Sequence, residues 1–154
     1  MRIQRLIIGL VLVGKLASCD DDLNIHWFKD DSSITTLNGT WKVLSYEDYI
    51  TNRVEVKTEE NSRGLDTIVT FDDTKDPNEL SGTNTTNTAR GEFEYIETRT
   101  FRLSSYTPTE VAQPEWANKF DEAITDGELE FKINSTGLRI YYDSNNKSVT
   151  LTRE

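Results

Sequence analysis

Few residues in this 154-residue chain could do chemistry. His26 is the only histidine and Cys19 the only cysteine, and both precede the stretch that can form a domain. A domain without histidine or cysteine cannot build a Ser–His–Asp triad, a cysteine nucleophile or a histidine metal site. The sequence also has no glycine-rich phosphate-binding loop of the Walker type. We therefore expect a protein that is not an enzyme and that uses no cofactor and no metal.

One stretch alternates oxygen-bearing side chains in the manner of a calcium loop. These residues are Asp72, Thr74, Asp76 and Asn78. A calcium loop needs glycine at its sixth position and glutamate at its twelfth, and this chain has Pro77 and Thr83 there. The mismatch favours a solvated turn over a calcium site.

Four glutamates could face one another on neighbouring strands. They are Glu92, Glu94, Glu128 and Glu130. Paired carboxylates about 5 to 9 Å apart can cleave glycosides. Acidic residues that alternate along strands are more often a solvated face, which we favour here. Tyr141 is predicted to point outward beside Tyr46 or Tyr106, where it could form a small recognition patch.

The charge of the chain excludes one class of partner. The net charge is −10, and removal of the basic start of the chain would make the remainder still more acidic. Such a surface repels phosphate backbones, so nucleic-acid binding is not expected. It would also be repelled by anionic membrane surfaces, so attachment to a membrane requires a covalent anchor.

The first 18 residues have the order of a bacterial secretory signal. Arg2 and Arg5 form its basic region, and 6–13 is an apolar run too short to span a bilayer. The four residues 16–19 (Leu-Ala-Ser-Cys) resemble the lipobox of bacterial lipoproteins. The resemblance implies that Cys19 is the lipidation site and carries fatty acyl chains such as palmitate. Two or three such chains anchor a protein firmly.

Residues 19–37 are predicted to be an acidic tether. Its start, 20–22, is three aspartates, which resembles the tract that sends lipoproteins of the Bacteroides group to the cell surface. Retention at the inner membrane and a simple solvated spacer are the alternatives. We expect an outer-membrane protein, exposed at the surface if the first interpretation holds. The apolar residues Ile25, Trp27 and Phe28 are expected to pack on the domain rather than on the membrane interface.

Residues 38–154 alternate polar and apolar side chains as a mainly β domain does. The pattern predicts an antiparallel, barrel-like meander crossed by one helix. The helix is predicted over 114–124, since Trp116, Phe120, Ala123 and Ile124 fall on one stripe. Pro114 suits its first turn, and Glu115 and Lys119 are spaced as an i,i+4 ion pair.

Strands are predicted around 39–46, 65–71, 91–96, 101–103, 129–133, 138–142 and 149–151. In the first strand, Trp41, Val43 and Ser45 are expected on one face and Leu44 and Tyr46 on the other, and in the second, Leu65, Val69 and Phe71 are expected in phase. Residues 51–63 are expected to be a hairpin arm or a long loop, and 80–87 to be extended or irregular.

Three motifs in this domain resemble the META-domain family of bacterial envelope lipoproteins, which are related to a heat-inducible outer-membrane lipoprotein. They are Gly39-Thr40-Trp41, the stretch 80–93 and the stretch 109–115. Many members carry two cysteines where this chain has Thr86 and Gln113, so that pair cannot form here. The resemblance covers 38–154 and implies a membrane-anchored, non-enzymatic protein with a binding or envelope-maintenance role.

The resemblance leaves the partner open, as an unknown envelope protein or a small ligand. A lipocalin-like barrel shares the opening Gly-x-Trp and a late helix. The alternative function is therefore a carrier that holds a small apolar ligand inside the barrel. The volume of the barrel interior distinguishes the two, because a carrier needs an apolar cavity of roughly 300 Å³ or more.

Overall fold

The computed structural model describes residues 28–154, and the strands in this part of the chain follow one another in a single antiparallel sheet. The elements are β1 Gly39–Asp48, β2 Arg53–Val56, α1 Glu59–Ser62, β3 Thr67–Asp72, β4 Asn78–Asn84, β5 Asn87–Glu97, β6 Thr100–Pro108, α2 Glu115–Ile124, β7 Leu129–Ile133, β8 Gly137–Tyr142 and β9 Lys147–Arg153.

Eight of these strands close into a barrel. The order is β1-β3-β4-β5-β6-β7-β8-β9, and β9 pairs back onto β1 along most of its length. The short strand β2 adds to the second half of β1, beside the part that pairs with β3. The predicted mainly β, barrel-like meander is confirmed, and the predicted helix is α2. The four-residue helix α1 is an addition that the sequence pattern did not predict.

A β-bulge in β1 corrects one prediction. Trp41, Val43 and Ser45 were expected on one face, with Leu44 and Tyr46 on the other. The pairing with β9 shifts by one residue between Val43 and Ser45, so that Leu44 is 42% exposed and Tyr46 is buried. The extra residue of a bulge shifts the alternation of inward and outward side chains by one position. The ring of Tyr46 consequently joins the core, where it contacts Trp116 edge to face.

In the first half of the barrel, one more prediction changes, and two that left alternatives open are resolved. Leu65, expected in phase with Val69 and Phe71, precedes β3 and is 41% exposed, and Thr67 takes the inward position. The polar stretch 51–63, expected as a hairpin arm or long loop, forms β2 and α1. Residues 80–87, expected to be extended or irregular, belong to the paired strands β4 and β5 and to the turn between them.

Two glycines of the 80–93 motif lie where strands approach closely. A Cβ on Gly82 would stand 2.3 Å from the carbonyl oxygen of Ile68, and one on Gly91 would stand 2.3 Å from that of Ser105. No side chain fits at that distance, so both positions require glycine for close backbone approach. The glycines thus allow β4 and β5 to curve around the barrel.

Aromatic side chains fill the barrel interior. Four of them contact one another edge to face with ring centroids 5.4–6.2 Å apart: Phe71, Phe93, Phe101 and Phe131. Trp41 and Trp116 are fully buried as well. The apolar cavity beside Leu80 and Phe120 measures about 10 Å³, room for about one water molecule.

The two ends of the barrel are built from different pieces. At one end lie the segment 28–37, the β3–β4, β5–β6 and β7–β8 turns and the C-terminus, and we call this the segment end. At the other lie α2, the β1–β2 hairpin and the β8–β9 turn, and we call this the helix end. Within 28–154, no helix is both long enough and apolar enough to cross a bilayer.

Candidate functional site

A cleft of about 480 Å³ opens at the helix end, between the β1–β2 hairpin, α2 and the start of β9. Its size lies in the range of small-ligand sites. Most of its lining is polar or charged: Tyr46, Glu47, Asp48, Thr51, Arg53, Val54, Glu55, Glu115, Lys119, Glu122, Tyr142 and Lys147. We call it the helix-end cleft. It is the candidate binding site.

One wall of the cleft is the polar face of α2. The predicted apolar stripe of this helix is buried, as expected, which leaves Glu115, Lys119 and Glu122 on the opposite face. Pro114 stands at the N-cap in an extended conformation rather than in the first turn, where it was predicted. The predicted pair of Glu115 and Lys119 is present, with Nζ 3.5 Å from Oε1.

Lys119 also joins α2 to the β1–β2 hairpin. Its Nζ donates to Oε2 of Glu55 at 2.5 Å. Partial burial opposes the charge on Lys119, but the hydrogen bond and the charge of Glu55 outweigh it and raise its pKa. The ammonium of Lys119 therefore stays charged over the physiological pH range. An ionic contact thus joins α2 to the β1–β2 hairpin at the wall of the cleft.

The second wall carries another lysine. Lys147, at the start of β9, lies 3.3 Å from Asp143 and 4.0 Å from Glu122 of α2. The hydrogen bond that Lys147 donates to Asp143 raises the pKa of Lys147. Its Nζ stands 5.9 Å from the centre of the Tyr142 ring, within cation–π range. Both lysines of the cleft thus have carboxylates on either side.

Two tyrosines form the floor. The hydroxyl of Tyr46 donates to the carbonyl oxygen of Trp116 at 2.9 Å, so this phenol is used in holding α2. Tyr142 is only 6% exposed, and its hydroxyl has no hydrogen-bond partner among residues 28–154. Burial, followed by the charges of Glu122 and Asp143, raises the pKa of Tyr142 well above its usual value. The phenol keeps its proton and can both donate and accept a hydrogen bond.

A buried polar network fixes α2 against the barrel. The carboxylate of Asp121 accepts from Tyr106 at 2.5 Å, Gln113 at 2.6 Å and Asn84 at 2.8 Å. Asn84 also donates to the carbonyl oxygen of Ala117 at 2.8 Å. Burial and the bond to Asp121 raise the pKa of Tyr106, so it remains a donor. The helix is therefore held by the β4–β5 turn as well as by its apolar stripe.

The loop before α2 is held by the same turn. Asn87 donates to the backbone oxygen of Val111 at 2.9 Å and to Gln113 at 2.7 Å. Thr86 donates to the backbone oxygen of Ala112 at 3.3 Å. The resembled family carries cysteines at the positions of Thr86 and Gln113. These hydrogen bonds bring the two positions close together, because Thr86 contacts the residue before Gln113 and Asn87 contacts Gln113 itself.

At the segment end, the guanidinium of Arg99 holds the chain that enters the barrel. Arg99 donates to the backbone oxygens of Asp31 and Ile34 and lies 2.6 Å from the carboxylate of Asp30. Partial burial opposes ionisation of Asp30, but Arg99 and the N–H of Ile133 outweigh it and lower its pKa. We call these contacts the Arg99 clamp.

Aromatic side chains complete the segment end. The hydroxyl of Tyr95 accepts from the N–H of Leu37 at 2.7 Å and donates to Asp73 at 3.1 Å. The indole N–H of Trp41 donates to the carbonyl oxygen of Leu37 at 2.8 Å. Leu37 itself is fully buried, so the end of the segment 28–37 is part of the packed barrel.

The structure separates the other residues that the sequence singled out. Cys19, His26, Ile25 and Trp27 lie outside the described residues. Asp72 accepts from the backbone and the hydroxyl of Thr74 and so caps a turn, as predicted. Within 28–154, no group of three or more His, Cys, Asp or Glu side chains is arranged to hold a metal ion.

The structure does not bring together the glutamates that could have faced one another. Glu92 and Glu94 lie on β5 and Glu130 on β7, and β6 lies between them. Glu92 stands opposite Glu79 of β4 instead, and Glu94 pairs with Arg102 at 2.7 Å. Tyr141 stacks on Tyr49, with ring centroids 6.4 Å apart, and not on Tyr46 or Tyr106, whose rings point inward.

The comparisons with known proteins concern the fold. The closed antiparallel barrel is shared with solved structures of low sequence identity. No protein-family model matches the chain, and no curated protein matches it either.

Three solved structures share the architecture. An NMR structure of a protein from Burkholderia xenovorans has a TM-score of 0.63 at 11% identity and covers 99% of both chains. A crystal structure of a DUF4847 family protein from Bacteroides vulgatus ATCC 8482 has a TM-score of 0.56 at 17% identity, over 80% of this chain and 96% of that one. A further NMR structure has a TM-score of 0.52 at 15% identity, over 76% and 91%. At these identities the similarity is one of fold alone.

Proposed function

We propose that this chain is a lipid-anchored lipoprotein of the bacterial outer membrane whose barrel is a non-enzymatic binding domain. The anchor is Cys19, and the binding site is the helix-end cleft. The observation that supports this arrangement is the separation of the two features. The chain that follows Cys19 enters the barrel at the segment end, whereas the cleft opens at the opposite end.

The signal-like start of the sequence supports the anchor, as does the acidic tract that resembles Bacteroides-group lipoproteins. One of the structures of similar fold comes from Bacteroides vulgatus. The META resemblance is part of the same proposal, and the adjacency of Thr86 and Gln113 supports it. A role in envelope maintenance would then act through a partner or ligand bound at the helix end.

Carriage of an apolar ligand inside the barrel has less support. The interior is occupied by Trp41, Trp116 and the phenylalanine cluster, and the apolar cavity beside Phe120 is far below the roughly 300 Å³ that a ligand needs. A fatty acid that shifted the NMR signals of Phe93 and Phe131, rather than those of Lys119 and Tyr142, would favour the carrier.

The anchor is tested by Cys19→Ala in the full chain. We expect the variant to leave the membrane fraction, because an acidic protein without acyl chains has nothing to hold it at the bilayer. Ser18→Gly, which keeps a small residue before the cysteine, is the matched control and should remain membrane-bound. A Cys19→Ala protein that stays with the membrane after a carbonate wash would contradict the proposal.

A further inference from the structure

The helix-end cleft has an excess of negative charge. Among its lining residues, the carboxylates are Glu47, Asp48, Glu55, Glu115 and Glu122, and the cations are Arg53, Lys119 and Lys147. A cleft with one dominant sign of charge concentrates ions of the opposite sign. The chain as a whole is strongly acidic as well. The electrostatics therefore select a cationic ligand.

The spacing of two carboxylates indicates the shape of that cation. Glu115 and Glu122 are seven residues apart on one face of α2, which places their backbones about 10.5 Å apart along the helix axis. No group of three or more acidic, His or Cys side chains in 28–154 is close enough to chelate a metal. Separated carboxylates suit a long cation with two charged ends rather than a compact ion.

These two glutamates are also the least engaged acids of the cleft. Their side chains are 84% and 66% exposed, and they lie 3.5 Å and 4.0 Å from their lysines. The contact of Lys119 with Glu55 is shorter, at 2.5 Å. A ligand ammonium can therefore contact Glu115 or Glu122 while the lysines keep their other carboxylates, Glu55 and Asp143.

The floor offers the third group that such a ligand needs. Tyr142 lines the cleft with a side chain that is more than nine-tenths buried, and its hydroxyl has no hydrogen-bond partner among the described residues. A phenol in this position accepts a hydrogen bond from an ammonium group and donates one to a carboxylate. Val54, 41% exposed in the same lining, provides an apolar contact for an aliphatic chain.

We propose that the helix-end cleft binds a linear aliphatic polyamine, whose ammonium groups contact Glu115, Glu122 and the hydroxyl of Tyr142. This assignment rests on the proposed function and names the ligand class of its site. The alkyl chain of the polyamine lies along Val54 between the charged ends. A basic peptide is a different partner, and the test separates it from a polyamine.

The test is calorimetric titration of the soluble Cys19→Ala chain with spermidine at 150 mM salt, where long-range charge effects are largely screened. We expect the double variant Glu115→Gln/Glu122→Gln to bind about tenfold more weakly, which corresponds to about 1.4 kcal/mol. Tyr142→Phe, which removes only the hydroxyl, should also weaken binding. Diaminopropane, too short to reach both glutamates, should bind more weakly than spermidine.

The matched control is Glu79→Gln/Glu92→Gln, which removes the same charge from two exposed strand residues on the outside of the barrel. It should leave the affinity unchanged, and an equal loss in both double variants would reduce the binding to non-specific attraction and overturn the proposal. Binding of trilysine without binding of spermidine would overturn it too.

The polyamine proposal can fail while the proposed function stands. In that case spermidine leaves the NMR signals of Lys119 and Tyr142 unchanged, but a neutral sugar or an amino acid shifts them. If no compound of any class shifts these signals, both the ligand assignment and the helix-end binding site are wrong.

Discussion

The two ends of the barrel are closed by different chemistry. At the segment end, the guanidinium of Arg99 and the hydroxyl of Tyr95 bind the backbone of the incoming chain, and Leu37 is buried beneath it. At the helix end, α2 buries an apolar stripe, and around it the charged side chains of Lys119 and Lys147 face solvent. The polar groups of the segment end bond to the protein's own backbone, whereas several polar groups of the helix end remain accessible to solvent.

This difference indicates that the two ends of the barrel have different roles. The hydrogen bonds of the segment end are satisfied internally, so this end is suited to holding the domain at its attachment point. The helix end keeps a partly engaged pair of glutamates and a phenol without a hydrogen-bond partner in the described part of the chain. Groups of that kind are what a ligand can engage. Three measurements on the folded chain can break or sharpen the contrast.

The largest effect is expected from the two interior tryptophans. Trp41→Ala and Trp116→Ala should each lower the free energy of unfolding by about 3–5 kcal/mol, because each leaves a cavity in a packed core. The two should differ on replacement by phenylalanine. Trp41 donates to Leu37, whereas the indole N–H of Trp116 has no hydrogen-bond partner among the described residues. Trp41→Phe should therefore cost about 1 kcal/mol more than Trp116→Phe.

Urea denaturation of the soluble chain measures these differences. Ile50→Ala is the control, since Ile50 is 69% exposed at the tip of the β1–β2 hairpin and should change stability little. Equal costs for the two phenylalanine variants would contradict the view that only the segment end uses its indole to hold the backbone.

A smaller effect is expected from the Arg99 clamp. Arg99→Ala should destabilise the chain by about 1–3 kcal/mol, because it leaves the carbonyl oxygen of Ile34 without its donor and the carboxylate of Asp30 without its cation. Arg99→Lys should not restore the loss, since an ammonium lacks the planar fork of the guanidinium. Hydrogen exchange should show faster opening of 31–37 in both variants.

Arg102→Ala is the matched control for the clamp. Arg102 forms an exposed pair with Glu94, with about half of each side chain in solvent, and such pairs contribute about 0–1 kcal/mol. If loss of Arg102 opened 31–37 as much as loss of Arg99, the clamp would not be what holds the segment end.

The smallest effect is a pH dependence of the segment end. The pKa of Asp30 is lowered in the folded chain, so its stabilising contribution is complete above the unfolded value of about 3.9 and is lost as the pH falls through the folded value. The amide signal of Ile133, which donates to Asp30, should therefore titrate below about pH 3.9. Asp30→Asn should abolish that titration, and a midpoint above pH 4 would contradict the clamp geometry.

Much of the fold follows from local patterns in the sequence. The strands β7, β8 and β9 alternate cleanly, and the stripe of α2 repeats with helical period, so these elements were predicted close to their observed bounds. Leu44 shows where local patterns fail. The bulge that exposes it is fixed by the pairing of β1 with β9, more than 100 residues later in the chain, and alternation carries no signal for it.

The candidate site was predictable only in part. The pair of Glu115 and Lys119 follows from helical spacing and was predicted. Glu55, Lys147 and Tyr142 come from three strands and meet α2 only because the barrel closes. The spacing of these residues in the sequence does not predict that they come together. The outward glutamates of β5 had a more recognisable pattern, yet β6 separates them from Glu130.

The position of the incoming chain has a mechanical consequence. If Cys19 is fixed in a bilayer, as proposed, any pull on the domain is transmitted through 28–37 to the Arg99 clamp and then to β1, whose first residue is Gly39. β1 is hydrogen-bonded on both edges, to β3 and to β9, so a force along its axis loads these bonds together, in shear. The clamp would yield before the barrel does, and the domain could extend from its anchor under load while its distant cleft kept its shape.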